Sequence, residues 1–385
     1  MLTSLRVLTA LLTTMYGTAA PPVREQQQWV LSALNVEQAW AVTKGKGVTV
    51  AVVDSGVDPK LKELQGRVFV APDMNSAALD TKVKPGLHGT AMAALIAGSG
   101  ADKGLVGVAP EASIMSLPLV IDEEPGDAVP PQEDERTGSD SALARALRYA
   151  ANHNAKVVSM SIGSYGPDKA EREAVAYALE RGVVLIAAVG NDGQTQYAQQ
   201  NHTSYWSFPA GYPGVIGVSA VDKLGKRAPF SSDNLSVLVS APGVDVPSVR
   251  LGGGYTGVTG TSASAALVAG VAALIKSKHP DMRPEQVAQA LASSARGRPP
   301  AGYDDKVGFG VVDAGAALNA ADALDGKARD VAVPDDRHFG AGEDSPVPSR
   351  PGPDPWRLAL FGGGALLALA MFGVAVAILN QRRIR

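Results

Sequence analysis

Cysteine is absent from all 385 residues, and that absence closes several routes at once. No disulfide, no thiolate metal site and no cysteine nucleophile is available to this chain. An excess of one charge is also lacking: 35 Lys and Arg stand against 38 Asp and Glu, a net of −3. Without a basic surplus nothing points to a nucleic-acid partner. No carboxylate cluster has the spacing of a calcium site, and neither a metal nor another cofactor is expected. Histidine is scarce, with five in the chain, which leaves few candidates for a general base.

The two ends carry membrane signals. Met1–Ala20 holds one cation, Arg6, then the apolar run Val7–Leu12 and the small residues Gly17-Thr18-Ala19-Ala20. That order reads as a secretory signal peptide cut near Ala19 or Ala20. Leu358 to Leu379 carries no charge, and as a helix of about 33 Å it would cover a hydrocarbon core of roughly 30 Å. Arg382, Arg383 and Arg385 follow. The positive-inside rule then sets a short tail in the cytoplasm and the bulk of the chain outside the cell membrane, held by a single span. Gly364 with Ala368, and Gly373 with Ala377, have the spacing of close helix contacts. Residues 326–355 contain Pro334, Pro346, Pro348, Pro351, Pro353 and Pro355 and read as an extended linker. The expected organisation is a signal peptide at 1–20, an N-terminal extension at 21–47, a large domain at 48–325, the linker at 326–355, a transmembrane helix at 356–380 and a tail at 381–385.

Inside the large domain, apolar runs of strand length alternate with helical stretches. Val48–Val53, Ser113–Val120, Val157–Ser161, Val183–Val189, Val215–Val221 and Val237–Ala241 are rich in β-branched residues and mostly apolar on both faces, as parallel strands covered by helices must be. Helices are predicted at His88–Ala97, Ser141–His153, Lys169–Arg181, Thr261–Lys278, Pro284–Ser294 and Ala314–Ala323. The fold class is α/β, a doubly wound, mostly parallel sheet with helices on both faces. Asp54 and Asn191 then follow strands, and His88 and Ser262 begin helices. Carboxyl ends of parallel strands and amino ends of returning helices share one rim, where open α/β proteins place their sites.

These four residues have complementary chemistry. Ser262, in Gly260-Thr261-Ser262, would be an unremarkable helix cap on its own. Around it, however, Gly260, Ala263, Ala265, Ala269 and Gly270 keep the helix slim, so that it can be buried with its tip free to favour an anion. A serine hydroxyl needs a base, and His88 in His88-Gly-Thr is the candidate; His153, His202, His279 and His338 read as surface or turn residues. Asp54 would hold the imidazole in its tautomer and stabilise its charged form. Asn191, in Val189-Gly190-Asn191-Asp192-Gly193, could donate to an oxyanion beside the amide of Ser262. The chain order Asp, His, Ser matches one of the three unrelated orders known for such triads, that of subtilisin.

On these motifs the chain resembles the subtilisin family of serine proteases (subtilases) over about 48–324. The matching stretches are Ala51-Val-Val-Asp54-Ser-Gly-Val-Asp58, His88-Gly-Thr, Val158-Ser-Met-Ser161, Ala187-Ala-Val-Gly-Asn191, Phe230-Ser-Ser, Gly260-Thr-Ser262 through Val268-Ala-Gly270, and Val307-Gly-Phe-Gly-Val-Val-Asp313-Ala. The resemblance implies hydrolysis of polypeptide substrates through an acyl-enzyme, with Ser161, Ile162, Gly163 and Ser164 forming one wall of the substrate cleft. Two features depart from the family. Ala266 stands where a proline is usual, and residues 21–47 are too few for a folded propeptide, so Arg24–Ala41 is expected to lie along the domain. Signal peptide, proline-rich stalk and single C-terminal span together resemble the mycosins, membrane-anchored subtilases associated with type VII secretion. That resemblance implies a secretion-complex partner. A general cell-surface subtilase, or a mainly structural component of such a complex, fits the same features. Two loops, acidic Asp122–Asp140 and Gln194–Trp206, are expected to narrow the cleft.

Overall fold

Valine, isoleucine and alanine at every position of a short run leave a strand with two apolar faces, and both must be covered. The computed structural model describes residues 21–74, 85–119, 141–325 and 355–383. The expected signal peptide, the acidic loop Asp122–Asp140 and nearly all of the linker lie outside the described residues. In chain order the strands are β1 (Thr49–Asp54), β2 (Val68–Val70), β3 (Ser113–Pro118), β4 (Val157–Met160), β5 (Ser164–Tyr165), β6 (Val184–Ala188), β7 (Ser207–Phe208), β8 (Ile216–Val221), β9 (Val237–Pro242), β10 (Val246–Val249) and β11 (Tyr255–Val258). The α-helices are α1 (Val23–Gln26), α2 (Gln28–Ala33), α3 (Val36–Trp40), α4 (Leu87–Ala97), α5 (Ala142–Asn152), α6 (Lys169–Glu180), α7 (Gln196–Asn201), α8 (Thr261–Lys278), α9 (Pro284–Ser294), α10 (Ala314–Leu324) and α11 (Pro355–Arg383).

Seven strands form one sheet in the order β2-β3-β1-β4-β6-β8-β9, parallel at every step. The expected strands and helices are present, with ends moved by no more than about two residues, the usual uncertainty of helix and strand boundaries. Along β1 the side chains alternate between two cores. Val50 and Val52 pack with α4 and α8 on one face, while Ala51 and Val53 pack with α5 and α6 on the other. Two small antiparallel pairs, β5 with β7 and β10 with β11, stand apart from the sheet.

Helix α8 is the most enclosed of these elements. From Thr261 to Lys276 every residue except Ser262 is buried, and the helix runs unbroken through Ala266. Ser264 Oγ donates to the carbonyls of Ala241 and Pro242 at the end of β9, both at 3.1 Å. At Gly270 a Cβ would lie 2.6 Å from Val108 Cβ, so glycine sets how closely the chain beyond α4 can approach α8.

Arg24–Ala41 lies along the domain as the short helices α1 to α3. Gln27 is buried and pairs with both the N–H and the carbonyl of Val106 at 3.0 Å. Trp40 donates its indole N–H to Val108 O at 2.8 Å. The unit that holds these elements extends to Ala328, and Arg329–Arg385 forms a second unit. Within that second unit α11 spans 29 residues, from Pro355 of the expected linker to Arg383 of the expected tail. Proline suits a first helical position because the N–H it lacks would find no partner there. Counted over the described residues alone, no helix is long and apolar enough to cross a membrane.

Near the end of α8, Lys276 is 2% exposed and donates to Met282 O at 2.7 Å. Burial, helped by the charge of Lys156, pushes its pKa down to about 8. Below that pH the folded and unfolded chains both hold the proton, and the folded state bears the full cost of the buried charge. Above it the folded state releases the proton, while the unfolded chain keeps it until roughly pH 10.4. Stability therefore rises through this window, with a slope of up to about 1.4 kcal/mol per pH unit from this group. Urea melts between pH 7.5 and 9.5 should show a rise that Lys276→Met flattens.

Candidate active site

Asp54 ends β1, 2% exposed, and its Oδ1 accepts the N–H of Ser55 at 2.8 Å. The same oxygen lies 2.7 Å from Nδ1 of His88, the second residue of α4. The imidazole reaches solvent, with its side chain 42% exposed against 3% for Asp54. A carboxylate on Nδ1 fixes the proton there and turns Nε2 outward as the basic nitrogen. Oδ2 of Asp54 is buried without a hydrogen-bond partner among the described residues, which leaves the imidazole as the side chain that offsets its charge.

The residues after His88 make this contact possible. A Cβ at Gly89 would sit 2.4 Å from Gly56 O and 3.1 Å from Asp54 Cβ, so only glycine lets α4 start against the end of β1. Thr90 Oγ1 donates to Gly86 O at 2.6 Å and accepts the N–H of Asp58 at 2.9 Å. Ser55 Oγ accepts the N–H of Gly89 at 3.1 Å. The motif is thus a ring, a point of close approach and a brace.

On the other side stands the first turn of α8. Asn191 Oδ1 accepts from the N–H of Thr261 at 3.0 Å and from its hydroxyl at 3.1 Å. With the oxygen engaged twice, the amide group Nδ2 remains to donate. Gly260 has φ +153, and a Cβ there would approach Asn191 Nδ2 at 3.7 Å and Ser262 N at 3.9 Å. Both donors therefore border the space that glycine leaves open. Ser262 is half-buried at the head of an otherwise buried helix, and α4 packs on α8. Among the described residues Ser262 Oγ makes no hydrogen bond.

Ser161, Ile162 and Gly163 run on from β4 outside any strand, and Ser164 begins β5. Its register with β7 sets Ser164 opposite Phe208 and Tyr165 opposite Ser207. The loop Gln194–Trp206 contains α7, capped by Thr195 Oγ1 accepting from Ala198 N at 3.2 Å. It also carries Tyr205, stacked on Tyr197 at 3.6 Å and edge-on to Tyr165 at 5.9 Å. The sequence pattern marks a loop here but gives no sign of this aromatic cluster, because its members are scattered through a polar stretch. Burial and the neighbouring Asp192 carboxylate raise the pKa of the Tyr165 phenol. Among the described residues no group of His, Asp or Glu is arranged to hold a metal ion.

The subtilase family model matches residues 45–310. The chain belongs to the subtilase family. Fervidolysin of Fervidobacterium pennivorans is 35% identical over 317 residues, which make up 75% of this chain but only 43% of fervidolysin. This subtilase thus spans less than half the length of that relative. Among solved structures, MycP1 from Mycobacterium smegmatis is similar with a TM-score of 0.61 at 30% identity, over 75% of this chain and 84% of that one. The MycP3 protease from the type VII (ESX-3) secretion system gives a TM-score of 0.63 at 31% identity, over 75% of this chain and 87% of its own.

The close approach at Gly89 can be tested by itself. Gly89→Ala should force α4 away from β1 and cost about 1–3 kcal/mol by overpacking. In a domain of this size that lowers the thermal midpoint by roughly 2–4 °C per kcal/mol, measurable by circular dichroism.

Proposed function

We propose that this subtilase is an extracytoplasmic serine endopeptidase, held at the cell membrane by one C-terminal span and acting in type VII secretion as mycosins do. The observation that carries the catalytic part is the 2.7 Å contact between Asp54 and His88 on a helix packed against the one that presents Ser262. His88 Nε2 takes the proton of Ser262 as Oγ attacks the scissile carbonyl. Asp54 keeps the Nδ1 proton in place and stabilises the imidazolium. Charge developing on the carbonyl oxygen is met by the N–H of Ser262 and by Asn191 Nδ2. Collapse of the adduct breaks the C–N bond, and the imidazolium hands its proton to the leaving amine. Water, deprotonated by the same imidazole, then releases the acyl group from Oγ. Ser161, Ile162, Gly163 and Ser164 line the path of an extended polypeptide.

The placement in secretion rests on the likeness to MycP1 and MycP3 and on the two ends of the sequence. A signal peptide at 1–20 would export the domain, and the uncharged run Leu358–Leu379, followed by Arg382, Arg383 and Arg385, would hold it with the tail in the cytoplasm. The small residues Gly364, Ala368, Gly373 and Ala377 offer that span a face for neighbouring helices.

Hydrolysis of denatured casein by the purified full chain tests the catalytic part. Ser262→Ala should abolish turnover, and Asp54→Asn should lower kcat by about 10⁴. Asn191→Ala should cost about 10²–10³, the share carried by one oxyanion donor in subtilisins. Unchanged turnover in Ser262→Ala would remove the proposal. Deleting residues 356–385 should move the protein from the membrane fraction to the medium. In cells, new protein termini that vanish from the secreted proteins of Ser262→Ala would identify the substrates. Secretion that persists in that strain would point to a mainly structural role.

A further inference from the structure

Asn191 stands exposed on the turn after β6, yet an oxyanion donor must be held to within about 0.5 Å of its working position. The bonds from Thr261 fix only the end of its side chain. Its backbone is fastened from beneath by one buried residue. Ser232, with no exposed surface, takes both neighbours of Asn191. Its N–H donates to Gly190 O at 3.0 Å, and its Oγ accepts the N–H of Asp192 at 3.0 Å. The residue before the donor and the residue after it are thus tied to a single serine.

Two glycines allow the turn to lie this low. Gly190 has φ +100, and a Cβ there would come 3.1 Å from Ser232 Oγ. Two residues beyond Asn191, the N–H of Gly193 donates to Phe230 O at 2.9 Å. A Cβ at Gly193 would sit 2.6 Å from Pro229 O and closer still to Ser231 O. The segment beneath is itself braced. Ser231 Oγ accepts the N–H of Ala220 in β8 at 3.1 Å. Arg227 donates to Ser231 O and pairs with Asp233 at 3.2 Å, while Asp233 Oδ1 accepts the hydroxyl of Ser204 at 2.7 Å. Alanine at 232 would keep the bond to Gly190, which uses the backbone N–H, and lose the one to Asp192. The turn would then be free to rotate about Gly190, carrying the Asn191 amide away from the N–H of Ser262.

We propose that Ser232 is a positioning residue for peptide hydrolysis, setting the Asn191 amide where the oxyanion forms without itself touching substrate. The proposal rests on the endopeptidase reading and adds a residue to the same site. Its effect passes through Asn191.

A double-mutant cycle with the purified full chain and an internally quenched casein peptide tests it. Ser232→Ala should lower kcat about ten- to a hundredfold, the effect of a displacement of up to ~1 Å, and leave KM within about twofold. In an Asn191→Ala background the same substitution should change kcat by less than about twofold, because the donor it positions is already gone. Ser231→Ala removes an equally buried hydroxyl from the same segment but none that holds the turn, and should leave kcat within about twofold. Gly193→Ala, which pushes the turn off residues 229–231, should reproduce the kcat loss and likewise lose its effect when Asn191 is alanine. It carries the test if Ser232→Ala does not fold. A rise in KM at constant kcat overturns the inference, as does an unchanged kcat. So does a loss that Ser231→Ala matches or that persists in full without Asn191. Each of these leaves the endopeptidase intact, whereas no cleavage by the wild type overturns both.

Discussion

How closely the start of α4 can lie against the end of β1 decides the geometry of the whole site. A buried carboxylate and a solvent-facing imidazole meet at 2.7 Å only because residue 89 has no Cβ to collide with Gly56 and Asp54. The brace is polar and local. Thr90 ties α4 to the loop after β1, and Ser55 reaches back to the amide of Gly89. Beneath it both elements are fixed by burial, β1 between two cores and α4 enclosed from Gly89 to Ala97. In so closely packed an interior a small displacement at the contact would have to move the whole helix. The Asp54–His88 distance is therefore a property of the fold more than of the two side chains.

The second fixed element is α8, and it works by the opposite device. There the side chains are small and buried almost throughout, leaving one hydroxyl at the tip. Asn191 joins the two halves of the rim. By spending its oxygen on Thr261 it both holds the first turn of α8 and orients its own amide toward the space beside Ser262. In the proposed reaction an amide fixed in this way would meet the oxyanion without reorganisation, which is the condition under which such donors are most effective.

Much of this was legible in the amino-acid order because buried parallel strands and small-residue helices leave long, uniform patterns. Val157–Met160 and Val184–Ala188 are apolar at almost every position, and α8 and α9 match their expected bounds. Shorter elements left no such trace. Val68–Val70 pairs with only one neighbour at the sheet edge, and three residues carry too little periodicity to distinguish a strand from a loop. Ser164–Tyr165 and Ser207–Phe208 become strands only by pairing with each other, information held in neither segment alone. Within the site, the order of Asp54, His88 and Ser262 pointed to the proposed chemistry, but the purposes of Gly89 and Thr90 needed coordinates.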